Sequence, residues 1–138
     1  MGLFEQNGKV ITFVVDAATR KVAEKIISTN VAIGSTMVTD AFAMYNRIGK
    51  KYNHIIINHS NGVYVDANKF TTNNIENFWS VLKRGIIGIY HYVSPNHLHR
   101  YCNEFTGRYN TRKIADDERF ELSIQNCDGR LKYKDLIK

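Results

Sequence analysis

Cysteine and proline are both scarce in this chain. Two cysteines, Cys102 and Cys127, stand far apart with no C-x-x-C pair, which argues against a structural zinc site and leaves no disulfide to infer. Reduced thiols in a cytoplasmic setting are the matching expectation. Proline occurs once, at Pro95, and there is no repeat, low-complexity tract or charge block, so nothing marks a linker. The opening MGLFEQNGKV lacks a basic segment followed by an apolar one, so it is not a signal peptide. No apolar run approaches the length of a membrane span, and no membrane partner is expected. Acidic groups are the minority: 13 Asp and Glu against 19 Lys and Arg leave a formal charge of +6, which points weakly to a polyanionic partner.

What is present is globular in character. At 138 residues, 43% of them hydrophobic, the chain suits one domain with one core. Its organising stretch is Thr71 to Lys83, TTNNIENFWSVLK. At helical spacing Ile75, Phe78, Trp79 and Leu82 form one apolar stripe, and Asn73, Glu76, Ser80 and Lys83 run beside it. Glu76 and Lys83 therefore face the same way, two turns apart. A solvated polar face is the plain reading of this helix taken alone.

The elements around it follow from period and punctuation. Residues 2–6 and 9–16 read as strands joined by Asn7-Gly8, the pair suited to a type I′ turn. A helix from about Thr19 to Asn30 carries Ala18, Val22, Ala23, Ile26 and Ile27 at helical spacing. Gly34 breaks the chain, and residues 35–39 form a strand ending at Asp40. A helix over 41–48 and a strand over 53–58 follow, the latter with an Ile triplet expected to be buried on both faces. The central helix should end near Gly85. Ser94-Pro95 opens another helix, with Ser as cap and Pro at the first position, carrying Leu98, Tyr101, Cys102, Phe105 and Tyr109 on one face. Asp116 begins a further helix to about Asn126, and RLKYKDLI reads as a short strand or a loose tail.

This order, with strands before and after a helix, implies a crossover connection and a parallel strand pair. An Asp at a strand end and a Glu on a neighbouring helix are a common way to assemble a two-cation site for phosphoryl transfer, since hard cations require oxygen ligands. A lysine seven positions past the Glu would reach a phosphate backbone. Thirteen acidic residues make any one Asp–Glu pair a cheap observation. The specific feature is the combination of Asp40, Glu76 and Lys83.

The segments TDAFAMY, INHSNGVYVD, TTNNIENFWSVLKRGIIGIYHYVSPNHLHRY and NEFTGRYNTR closely resemble DDE-type insertion-sequence transposases of the ISXO-like group. The resemblance runs from about Gly2 to Asn110. It implies an α/β, ribonuclease-H-like fold, a mixed five-stranded sheet flanked by helices. It also implies Mg²⁺- or Mn²⁺-dependent DNA strand cleavage and joining, with transposon-end DNA as partner. In that pattern Asp40 matches the second catalytic acid and Glu76 the third, which makes both metal ligands. Lys83 matches the DNA-contacting basic residue, with Arg84 beside it. His59 and Asn73 match positions kept near the site, and Thr71 stands where many members have His. Arg100, Arg108, Arg112 and Lys113 are candidates for a basic strip, with solubility an equal explanation.

The family's first Asp lies on a strand ahead of the hairpin, and no residues here occupy that place. Asp16 is the nearest substitute, but its position before a helix suits an ordinary cap. The expectation is therefore a single, N-terminally truncated catalytic domain over 1–138, with core 2–113 and a helical extension 114–138. Its sheet would lack the first, Asp-bearing strand, and strands 9–16 and 35–39 would each lose a partner. They would pair directly or leave an open edge for homo-oligomer formation. Metal would not be bound productively by this chain alone, and the protein would be an inactive relative of a transposase. The alternative is a non-catalytic DNA-binding or interaction protein on the same scaffold. His91, His97 and His99 lack an acidic or Cys partner at fixed spacing and are not read as a metal site.

Overall fold

The computed structural model describes residues 1–45, 51–59, 70–127, 129 and 132–136. The elements are β1 (Gly2–Phe4), β2 (Val10–Thr12), α1 (Arg20–Asn30), β3 (Thr36–Asp40), β4 (Asn53–Ile57), α2 (Asn73–Gly85), α3 (Leu98–Asn110), α4 (Asp116–Gln125) and α5 (Tyr133–Leu136). The protein is α/β. Its described strands form two separate two-stranded sheets, β1–β2 antiparallel and β3–β4 parallel, where one sheet was expected.

The hairpin is real, but its turn differs from the type I′ expectation. Gly8 N–H donates to the Glu5 carbonyl and Glu5 N–H to the Lys9 carbonyl, each at 2.9 Å, leaving a three-residue loop. Only Asn7 takes a positive φ, 60°, which Asn tolerates because its short amide bonds locally. The expected strand 9–16 is short. Its ladder runs to the Met1–Phe13 pair, whose two backbone bonds measure 2.6 and 2.7 Å, and β1 offers nothing beyond. With that pair bonded, antiparallel alternation turns the N–H and C=O of Gly2 and Phe4 away from β2.

α1 is capped by Thr19, whose hydroxyl accepts from Val22 N–H at 3.3 Å. Asp16 is exposed three residues earlier and is not the cap that its position suggested. Gly34, at φ 85°, supplies the turn into β3. After Asp40 the described residues form a 3₁₀ turn, Ala43–Tyr45, where an α-helix was expected; residues 46–48 lie outside the described residues. β4 keeps Ile57 buried but leaves Ile56 51% exposed, because it has one neighbour and its second face is uncovered. Asn53 N–H donates to the Ser35 carbonyl at 3.0 Å, which sets the parallel ladder. Met37 and Thr39 thus point their backbone groups at β4, and Thr36, Val38 and Asp40 point theirs to the other edge.

α2 ends at Gly85 as expected and continues into a π-helical turn, Ile86–Tyr90. A Cβ on Gly85 would strike the Phe105 ring, so glycine is what lets α2 and α3 approach there. His91 closes this segment at φ 61°, with Tyr92 N–H donating to the Tyr90 carbonyl at 2.6 Å, a strained γ-turn-like reversal. Ser94 precedes a 3₁₀ turn with Pro95 at its start, but its hydroxyl makes no capping bond. RLKYKDLI contains one helical turn, Tyr133–Leu136, in place of a strand or a loose tail.

Two cores result. Val10, Phe78, Leu82, Cys102 and Phe105 form the larger, flanked by Phe4, Ile75, Trp79 and Tyr109. Its rings meet edge to face: Phe78–Tyr109 at 5.6 Å and Phe4–Tyr109 at 6.0 Å between centroids. Ile27, Met37 and Tyr52 form the smaller, flanked by Leu3, Val31 and Tyr45. β1 serves both, since alternate side chains Leu3 and Phe4 point to opposite faces.

Strands β2 and β3 do not pair, and the outer edge of β2 is closed at Val10. The Asn110 side chain closes it, its Oδ1 accepting from Val10 N–H at 2.8 Å and its amide donating to the Val10 carbonyl at 2.9 Å. The gap lies between β1 and β3. A cavity of about 680 Å³ opens there, lined by Met1–Phe4, Thr36–Asp40, Ile27, Val31, Ile75, Glu76 and Trp79, among others.

Candidate functional site

Asp40 and Glu76 both line this cavity. Asp40 is the last residue of β3 and is exposed. Its Oδ1 accepts from Phe42 N–H at 3.3 Å, an Asx-type turn that starts the chain away from the sheet. Its carbonyl accepts from the Thr39 hydroxyl at 2.8 Å. Because that hydroxyl proton is committed, His54 Nε2 is the donor to Thr39 Oγ1 across 2.8 Å. Burial pushes the His54 imidazole below its ordinary value of 6.5. Tyr45 stands by the same strand end, its phenol pushed up by burial and then by the charge of Asp40.

Glu76 lies in the first turn of α2. The buried Thr72, at the cap position of the helix, turns its hydroxyl to Glu76 Oε1 at 2.5 Å instead of to the helix backbone. His59 Nε2 lies 2.8 Å from Thr72 Oγ1 and 2.9 Å from Glu76 Oε1. The Thr72 proton is already given to Glu76, so Nε2–H donates to both oxygens. Oε1 is thereby held by two donors, and Oε2 has no partner among the described residues. The helix N-terminus adds favourable charge for a carboxylate at this turn. A side chain 51% exposed is in this way held in one orientation.

The other expected residues are placed differently. His59 touches Glu76 but does not itself line the cavity. Asn73 is the exposed first residue of α2, and its N–H donates to Thr71 Oγ1 at 3.1 Å. Lys83 and Arg84 are exposed in the last turn of α2, away from the cavity lining, without an ion pair among the described residues. Two members of the wider basic strip are engaged by neighbours on α3. Arg108 pairs with Glu104 at 2.6 Å, and Arg112 lies 3.8 Å over the Tyr109 ring. Trp79, expected in the core, is only partly buried and lines the cavity.

Sequence reasoning missed Thr72. The only signal was a hydroxyl four positions before Glu76, one more than a capping box requires. It also missed Tyr45 as a neighbour of Asp40, because only the turn after β3 brings the ring back.

Among the described residues no group of three or more His, Cys, Asp or Glu is placed to hold a metal ion. Two carboxylates, one with an oxygen already committed to Thr72 and His59, fall short of the oxygen set that a hard divalent cation takes. No described helix is long and apolar enough to cross a membrane.

A family model described as ISXO2-like transposase domain matches residues 1–110, and the chain belongs to that family. No curated protein and no solved structure matches the chain. The family implies DNA binding and, in general, use of a divalent metal.

Proposed function

We propose that this ISXO2-like transposase domain is a DNA-binding, catalytically incomplete DDE-type polynucleotidyl transferase on a ribonuclease-H-like scaffold. Asp40 and Glu76 supply two of its carboxylates. Asp40 comes from a strand end and Glu76 from a helix, as the sequence pattern requires, and a further acid must come from outside the described residues. Thr72 and His59 position Glu76. Lys83 and Arg84 track the phosphate backbone, and residues 114–138 extend a single domain without entering the site. The observation that carries the reading is that Asp40 and Glu76, far apart in sequence, line one cavity. The chain by itself does not fix a cation pair, so no strand transfer step is assigned to it.

The test is binding and cleavage of duplex DNA by the purified 138-residue protein. Binding should be weak, tolerant of sequence and steeply dependent on salt through counterion release. Lys83→Ala should lower the slope of log affinity against log salt by about one. No strand transfer is expected with Mg²⁺ or Mn²⁺, and Mn²⁺ titration should show no tight site. Affinity indifferent to salt would remove the DNA-tracking role. Robust cleavage abolished by Glu76→Gln would overturn the incomplete site.

A further inference from the structure

α4 is ten residues long and has no buried residue. A helix so short is marginal in water by itself, and in proteins the packing of an apolar face holds it. α4 has such a face. Asp117, Phe120, Glu121 and Ile124 fall at i, i+3, i+4 and i+7, one stripe that mixes apolar side chains with carboxylates. Phe120 is 67% exposed and Ile124 57%. Asp117 and Glu121 carry no ion pair among the described residues. A partner that covers this stripe must be both apolar and cationic, and nucleic acid is neither.

A face of that chemistry stands on the same chain. Where α2 runs into its π-helical turn, Lys83, Arg84 and Ile87 share the side opposite the buried Phe78, Leu82 and Gly85. Ile87 is 71% exposed, and Ile89 and Tyr92 beyond it are exposed as well. No carboxylate occurs in the sequence between Glu76 and Glu104, so nothing in this stretch offsets the two cations. Gly88 weakens its own turn, yet a Cβ there would meet nothing within 4 Å, so packing within the chain does not require glycine. Bare backbone at that point admits a close neighbour from outside.

We infer that these two faces bind each other between copies: the acidic, apolar stripe of α4 docks on the cationic, apolar end of α2 in a second copy of this chain. Asp117 and Glu121 meet Lys83 and Arg84, and Phe120 and Ile124 cover Ile87 beside Gly88. The lengths agree, since Asp117 to Ile124 spans about 10 Å of helix axis and Lys83 to Ile89 about 9 Å. A second copy is the occupant because one contact then satisfies both faces. Duplex DNA would answer the cations alone and would repel α4. The contact is heterologous, so each copy can both give its α4 and receive one. The inference rests on these two faces and not on the DNA reading, but it gives Lys83 and Arg84 a second anionic partner.

The test is sedimentation equilibrium of the intact protein without DNA. Mass above the monomer should grow with concentration and fall with added salt. One variant carries Asp117→Lys with Glu121→Lys, and another carries Lys83→Glu with Arg84→Glu. Each sets like charges face to face and should self-associate about tenfold or more weakly. Mixed in equal amounts, the two variants restore opposite charges at every contact between them and should associate as the parent does. That recovery also shows that both are folded. Association unchanged in both variants would place it elsewhere, such as at a sheet edge, and would overturn the inference. So would a protein monomeric at every concentration, or a mixture that stays monomeric. Charge-dependent self-association by a protein that never binds DNA would leave this inference standing and remove the proposed function. Salt-sensitive DNA binding by a strict monomer would do the reverse.

Discussion

The two cores of the molecule flank one cleft and are finished to different degrees. Around Val10, Phe78 and Phe105 the packing is tight: aromatic edges meet faces, Gly85 admits Phe105, and Asn110 closes the edge of β2 at Val10. Around Ile27, Met37 and Tyr52 three buried side chains support two strands, with one edge left open to the cleft. The difference separates support from site. Packing in the first core fixes α2, and α2 carries Glu76. The second core carries Asp40 on an edge that has room for something else.

The comparison is broken most directly by emptying each core in turn. Phe78→Ala should cost about 3–5 kcal/mol, because a ring 2% exposed leaves a cavity that closed neighbours cannot fill. Met37→Ala should fall near the lower end of the ~2–5 kcal/mol range for such truncations, since its core borders open space. Urea denaturation of both variants decides this, and equal losses would mean the two cores are packed alike. Next in size is the sealed edge. Asn110→Ala leaves the N–H and C=O of the fully buried Val10 without partners, a loss of about 1–3 kcal/mol in the same assay. An unchanged midpoint would show that solvent replaces the amide and that β2 is as open as β1.

A smaller effect tests the site. Thr72→Val keeps the shape and removes the donor to Glu76, for about 1 kcal/mol by thermal melting. A variant as stable as the parent would show that the threonine does not hold the carboxylate. The smallest effect concerns pH. Burial lowers the folded pKa of His54 below 6.5, so as pH falls the unfolded chain takes up the proton first. The stability linked to this group is whole above about pH 6.5 and declines as pH falls through 6.5 toward the lower folded value. Urea midpoints at pH 7.5 and 5.5 should differ by less in His54→Gln than in the parent. An identical pH response in the two would assign the effect elsewhere.

The long helices α1, α2 and α3 were the most legible part, since each carries its period over about three turns. Ile75, Phe78, Trp79 and Leu82 mark the inner side of α2, and Phe78 and Leu82 are buried there. The strands were legible as strands, but their lengths and edges were not. β-propensity in residues 9–16 says nothing of where a partner stops, and only Val10–Thr12 pairs within the sheet. Open edges were expected on strands 9–16 and 35–39. The second is found on β3, but on the hairpin the open edge belongs to β1, because Asn110, a hundred residues later, covers β2 at Val10.

The sequence by itself determined most of the element types, the presence of a parallel strand pair, the family resemblance and, through it, the expectation for Asp40 and Glu76. Those depend on periodicity, on punctuation by Gly and on residues in fixed local order. Only the tertiary structure decided which oxygen of Glu76 is held, by Thr72 and His59, and which edges face the cleft. Such facts depend on groups that meet through space, and a hydrogen bond between distant residues leaves no period in the chain that makes it.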